Sequence, residues 1–327
     1  MGNIKFVKAF GSLAAAALLL YLVARSADWS STTAAMARVH PGWLAFAAVI
    51  VICQLAVKGL RLAALTLGSH ADAFACARAV ALCLGINSFV PLRAGEVVKA
   101  VYVSQKTAAG LVPAALAVVA ERLLDFAAVA VIAALALIFE RALFAAWIAR
   151  LAESGGGPGF AFAAAMLAAL AAALGGVTAW KRDWFGVRSK FREKQERILN
   201  LLSDLGRTGS KRLALGGAYT ALAWSADTLL LWSLAGGFGL APSLTQVFFL
   251  QLVLTATYVS SVTPGALGLY EWLGLWALRQ MGFEETPSLA FLLTAHGTVF
   301  AVFGLSTLAI LIGDAYFTRP REGSGRK

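Results

Sequence analysis

Long apolar runs dominate this chain, at 9–24, 43–57, 123–139, 158–180, 213–235, 243–263 and 287–312. Their lengths are of the order a helix needs to cross a hydrocarbon core of roughly 30 Å. Lipid offers no partners to backbone N–H and C=O groups, so a spanning run has to satisfy them internally, as a helix does. Only 14% of the 327 residues are charged, against about a quarter in soluble domains. The chain reads as an all-α polytopic membrane protein.

The charges set an orientation. Ten Lys/Arg against four Asp/Glu fall between Lys181 and Arg212, and the tail adds Arg319, Arg321, Arg326 and Lys327. Cations gathered in one loop and one terminus mark cytoplasmic segments, and a basic juxtamembrane loop attracts anionic headgroups. The net charge of +11 is thereby spent on the membrane, and nucleic acid is not expected as a partner. Within 181–212, Val187, Phe191, Ile198, Leu201, Leu202 and Leu205 form the apolar stripe of a helix lying along the cytoplasmic surface. Lys5 and Lys8 before the first run suit an N-terminus held inside, and Arg25 stands where a cleaved signal would need small residues. The expectation is a multi-pass protein of a bacterial inner membrane with both termini cytoplasmic.

Counting inward from the basic loop leaves 73–110 entering and returning on the inside, and 243–282 entering from the outside. Each segment is interrupted, the first by "NSFVPLRAGEVVKA" (87–100) and the second by "SSVTPGALGLYEW" (260–272). The interruptions are alike: Pro91 is followed by Gly95 and Glu96, and Pro264 by Gly268 and Glu271. Pro113 follows Pro91 by 22 residues and Pro287 follows Pro264 by 23, so aligning the later prolines sets Arg122 opposite His296. Each half reads span, span, broken hairpin, span, and an odd number of crossings turns the second half upside down. The predicted architecture has about six full spans and two broken, re-entrant hairpins in two inverted-topology repeats, as in secondary transporters. It forms one membrane domain over 1–315, with repeats at about 5–139 and 158–312, the basic loop at 181–212 and a tail at 316–327.

Proline suits the first helical position, where its missing N–H costs nothing, so Pro91 and Pro264 are predicted to start short helices inside the membrane. Helix starts carry unpaired N–H groups and partial positive charge, and two of them facing each other would cradle an anion. Arg93 and Lys99 add full charge to the first. Glu96 and Glu271 either bind an amine or a proton during transport or merely complement the helix dipoles. In "AVVAERLLDFAAV", Glu121 lies roughly 15 Å along its helix, near mid-depth, and Arg122 and Asp125 are spaced to pair. Ionisable groups at that depth face the protein interior. Two readings stay open: an ion-pair network that locks the helix to its hairpin, or a phosphate grip by Arg122 with the carboxylates holding or releasing it. Asp227 is a further interior candidate. His296 either titrates near neutral pH or is a lone polar group satisfied by packing.

Other chemistries lack their residues. Cys53, Cys76 and Cys83 sit in apolar segments, and neither they nor His70 and Asp72 make a zinc or disulfide pattern. No Walker loop and no nucleophile elbow occurs, and no two aspartates lie within four residues of each other as a Mg²⁺-held pyrophosphate would favour. No cofactor and no metal are expected.

Taken together, "NSFVPLRAGEVVKA", "AERLLD" and "TPGALGLYE" resemble the flippase-like membrane region of lysylphosphatidylglycerol synthases, over about 5–315. The resemblance implies a stand-alone domain that moves aminoacylated phospholipids or other lipids between leaflets. It carries the family's motif positions onto Asn87, Pro91, Gly95, Glu96, Glu121, Arg122, Asp125, Pro264, Gly265, Gly268 and Glu271. Lys99 stands where the family has arginine, and His296 where one is expected in the second half; both weaken a bidentate phosphate grip and point to a different headgroup. The soluble aminoacyl-transferase region is not in this sequence, so synthesis of lysyl-lipid is not expected. The expected partners are membrane lipids (anionic or aminoacylated phospholipid, or an isoprenoid-type lipid), with a lipid-synthesis enzyme and self-association left open. A non-transporting scaffold and a lipid-active membrane enzyme are the alternatives to a translocase.

Overall fold

The computed structural model describes residues 17–25, 27–66, 72–90, 94–143, 145, 209–260 and 263–317. Pro91, Arg93, His70, the 158–180 span, residues 181–208 of the 181–212 loop in which a surface helix is expected, and the tail from 318 lie outside the described residues. Among the described residues the protein is helical throughout. The elements are α1 (17–25), α2 (Trp29–Arg38), α3 (Pro41–Leu65), α4 (Ala73–Phe89), α5 (Gly95–Lys106), α6 (Leu111–Phe139), α7 (Ser210–Gly237), α8 (Leu244–Ser260), α9 (Leu269–Gln280) and α10 (Glu285–Phe317).

Helices α3, α6 and α10 are long and apolar enough to cross a membrane. Their lengths come from sequence that stays apolar apart from a few charges, such as Arg61 in α3 and Glu121, Arg122 and Asp125 in α6, and their ends come from local chemistry. Pro41 opens α3 behind His40, whose Nδ1 accepts from the Gly42 amide at 3.1 Å. Asp72 caps α4 by accepting from the Phe74 and Ala75 amides. Outward faces of α6 and α10 expose Leu123, Phe126, Val131, Leu305, Leu308 and Ile312, as lipid contact requires.

The connection between the first two apolar runs holds a helix that no apolar periodicity announces. Helix α2 is polar and short, and its start is fixed by Asp28, which accepts from the Ser31 amide and from the Ser30 and Ser31 hydroxyls. These bonds, the Ser31 hydroxyl first, hold the Asp28 carboxyl down to about 2.

Two apolar cores form. One joins Leu55, Leu62 and Leu65 of α3 to Val80 and Leu82 of α4, Val103 of α5 and Leu116 of α6. The other joins Leu234 of α7, Leu250 of α8, Leu273 and Leu278 of α9, and Phe291 and Leu292 of α10. Val302 and Phe303 of α10 pack against both, so this one helix couples the two hairpins, α4–α5 and α8–α9.

The second break differs from the expected helix start at Pro264. Pro264–Ala266 is a single 3-10 turn, and α9 begins only at Leu269, with Gly268 as its N-cap. Gly265 and Ala266 sit at φ of 56° and 61°, in the left-handed region, where a helix started at Pro264 has to stop. The close approach needs glycine as well: a Cβ on Gly265 would lie 2.2 Å from Phe300 Cζ and 2.6 Å from the Ser88 carbonyl oxygen. The end of α4 therefore touches the turn of the other hairpin, and Phe89 meets Phe300 edge-on at 5.8 Å.

Candidate functional site

Three helices, α3, α5 and α6, bring six charged side chains into a closed ring. Lys99 of α5 pairs with Glu121 of α6 at 2.9 Å, and Glu121 pairs with Arg61 of α3 at 3.1 Å. Arg61 pairs with Asp125 at 2.6 Å, and Asp125 with Arg122 at 3.2 Å. Arg122 faces Glu96 at 3.7 Å, and Glu96 returns to Lys99 at 2.9 Å. Cations and carboxylates alternate all round, three of each, so the ring is formally neutral. Helix α7 supports it from outside, with Thr220 Oγ1 3.3 Å from an Arg61 nitrogen and Trp224 Nε1 donating to Asp125 at 3.2 Å.

Burial differs sharply around this ring. The side chains of Glu121 and Lys99 are 1% and 3% exposed, whereas that of Arg122 is 36% exposed. Its link to Glu96 is also the longest of the six, beyond hydrogen-bonding distance, and its Nε has no hydrogen-bond partner. The ring is tight on its inner side and slack at Arg122.

The second hairpin carries a separate pair. Glu271 Oε1 lies 2.5 Å from His296 Nδ1, both side chains being 3% exposed, and Glu271 Oε2 accepts from the Gly268 amide at 2.8 Å. His296 Nε2 lies 3.0 Å from the Gly265 carbonyl oxygen. Tyr270 stacks on the imidazole at 4.2 Å, and Phe300 and Tyr258 meet it edge-on at 4.7 and 6.0 Å. His296 is therefore not the lone packed polar group that a solitary histidine in an apolar run suggests; its partner is 25 positions away in sequence.

The helix starts are less available than their sequence implied. Gly95 N donates to Asn87 Oδ1 at 2.9 Å, as Gly268 N does to Glu271. Side chains within each hairpin thus already use one donor at each start, which moves the attraction for an outside anion towards Arg122. Asn87 and Gly95 act together: a Cβ on Gly95 would lie 2.2 Å from the Cys83 carbonyl oxygen, so α4 and α5 close on each other only over a glycine. Asp227 stands apart from the ring, accepting from Gln54 Nε2 at 2.7 Å, and Gln54 in turn accepts from Lys58 at 3.3 Å.

Arg61 is the ring member that sequence reasoning missed. It lies past the end of the expected 43–57 span and reads there as a flanking charge. The signal was present, since α3 continues apolar through Leu65, and a cation inside a continuing span calls for an interior partner.

No curated protein and no solved structure matches this chain. The model of the lysylphosphatidylglycerol synthase TM region matches residues 9–306, nearly the whole length over which the two breaks, the ring and the Glu271–His296 pair are distributed, and the protein belongs to that family of membrane regions.

Proposed function

We propose that this protein is a lipid translocase whose substrate headgroup engages Arg122 at the slack edge of the charged ring. The observation that carries the reading is the ring itself: five short links, one long one, and a partly exposed arginine side chain at the long one. A phosphate there would pair with Arg122, whose side chain is 36% exposed, while an amine on the same headgroup would meet Glu96. The family's link to lysylphosphatidylglycerol agrees with a lipid substrate. Phospholipids, aminoacylated or anionic, and isoprenoid-type lipids all offer the required phosphate.

Alternating access would come from two inverted repeats, about 5–139 and 158–312, each of three spans and a broken hairpin in a single membrane domain of a bacterial inner membrane. One structural correspondence supports that division. Arg122 and His296 each stand nine residues beyond a proline, Pro113 and Pro287, and each faces the glutamate that follows its own hairpin's break, Glu96 or Glu271. Transport of this kind requires no cofactor and no covalent chemistry, and we assign the protein no enzymatic activity.

Mass spectrometry of lipids retained by the purified protein tests the reading, with wild type compared to Arg122→Ala and Glu96→Gln. A headgroup class enriched in wild type and lost from the folded variants is the expected result. Identical bulk lipid in all three overturns it and leaves a non-transporting scaffold.

A further inference from the structure

We infer that Glu271 and His296 together form a binding site for one proton, and that the second hairpin break stays closed only while that proton is held. The inference does not depend on the lipid reading.

The hydrogen count follows from the acceptors. The Gly265 carbonyl can only accept, so His296 Nε2, at 3.0 Å from it, carries a hydrogen. A neutral ring with that hydrogen presents a lone pair at Nδ1. An ionised Glu271 presents another at Oε1, only 2.5 Å away, and two lone pairs at that distance repel. One proton between them removes the conflict, whether it resides on Nδ1 as an imidazolium–carboxylate pair or on Oε1 as a carboxylic acid facing a neutral ring. Both forms have zero net charge. A second proton would either put two hydrogens into the 2.5 Å gap or leave a net cation among apolar walls, and an uncompensated buried charge is costly.

The surroundings favour the neutral, one-proton state. The ionisable groups facing the pair are Tyr270 on α9 and Tyr258 on α8, phenols that stay protonated through neutral pH. On the α7 side stands Asp227, whose charge acts on both tyrosines and whose Oδ1 is bonded to Gln54. Phe300 of α10 closes the remaining edge, and α4 contributes the Ser88 carbonyl and Phe89 at the turn.

The proton ties three segments together. Through it α10 holds Glu271, Glu271 holds the Gly268 amide, and the far side of the imidazole holds the Gly265 carbonyl. The turn it secures contains a non-glycine residue, Ala266, in the left-handed region, a conformation that persists only when its surroundings impose it. Losing the proton sets Nδ1 against Oε1, turns the ring away and frees the Gly265 carbonyl. Gly265 abuts Ser88 of the other hairpin, so the release reaches the contact between the two breaks.

The test uses the full chain in lipid nanodiscs with ¹⁵N-labelled histidine. There are three histidines, His40, His70 and His296, and His296→Asn assigns the signal. Ring-nitrogen shifts and hydrogen exchange of residues 263–272, corrected for intrinsic rates, are followed from about pH 5 to 9. Wild type should show a single one-proton step on raising the pH, with exchange rising about tenfold or more across it, as expected for the loss of a hydrogen bond to a charged group. Glu271→Gln keeps the geometry, its NH₂ donating to Nδ1 and its oxygen accepting from Gly268, so exchange should stay slow at every pH. Glu271→Ala should exchange fast at every pH. Ring shifts or exchange in wild type that do not change with pH overturn the inference, as does a step that Glu271→Gln leaves intact. Should the glutamine variant not fold, the wild-type step decides alone. Lipid retention plays no part in these readouts, so this inference and the lipid reading fail separately.

Discussion

Glu121→Gln probes the ring where it is most buried. Glu121 accepts from Arg61 Nε at 3.1 Å and from Lys99 Nζ at 2.9 Å, with its side chain 1% exposed. A glutamine can accept from one of these cations but must turn its NH₂ on the other. It also leaves three cations facing two carboxylates, and breaking a buried pair in this way costs about 3–5 kcal/mol. Lys99→Met leaves the opposite imbalance and should cost about as much. The double variant restores balance, with Arg61, Asp125, Arg122 and Glu96 still in contact. It should therefore be more stable than the sum of the singles implies, by about 2–3 kcal/mol, at the upper end for residues within one network. Unfolding by SDS in mixed micelles, read through the tryptophan fluorescence, measures all four proteins. Additivity within about 0.5 kcal/mol would refute the ring as a coupled unit and leave a set of independent pairs.

Two further outcomes follow from the first hairpin and from α2. Gly95→Ala should destabilise by about 1–3 kcal/mol through overpacking in the same SDS titration, because the new Cβ would sit 2.2 Å from the Cys83 carbonyl oxygen and 2.7 Å from Asn87 Oδ1. Asp28 has a folded value of about 2, below the ordinary 3.8. Its contribution to α2 is therefore complete above the ordinary value and lost as the pH falls through about 2; hydrogen exchange across 31–36, corrected for intrinsic rates, should rise over that interval in wild type and stay flat in Asp28→Asn.

What the sequence made legible was local or set by the solvent. An apolar run of spanning length is satisfied in lipid as a helix, so α3, α6 and α10 are legible from composition, and α6 ends at Phe139, where its apolar run does. Arg122 and Asp125 pair because three residues on a helix face each other. Glu96 and Lys99 pair at the same spacing within α5, but the ring's four other links cross between helices: 22 positions separate Lys99 from Glu121 and 60 separate Arg61 from it. No periodicity reports a contact of that kind. Helix α2 escaped because its polar sequence offers no stripe, and a cap with tertiary docking makes it helical. The start of α9 was misplaced because proline marks where a helix is permitted to begin, while left-handed residues after it decide where it does.

The two breaks are built alike but respond to different things. In the first, Glu96 faces Lys99 and Arg122, cations with no neutral form near physiological pH, so its charges are fixed and only a competing ion can rearrange them. In the second, the residue nine past the proline is histidine, and the glutamate it meets has no lysine or arginine among its bonded partners. Arginine at 296 would make the second break like the first, a permanent ion pair with no shared proton. On the proton-site inference, histidine there makes a latch that one proton holds, and it stands on α10, the helix that packs against both cores. Under the two proposals, a headgroup at Arg122 would act on the first hairpin and a proton at His296 on the second, and the two hairpins meet where Ser88 abuts Gly265. Coupling between the two sites needs no longer path than that.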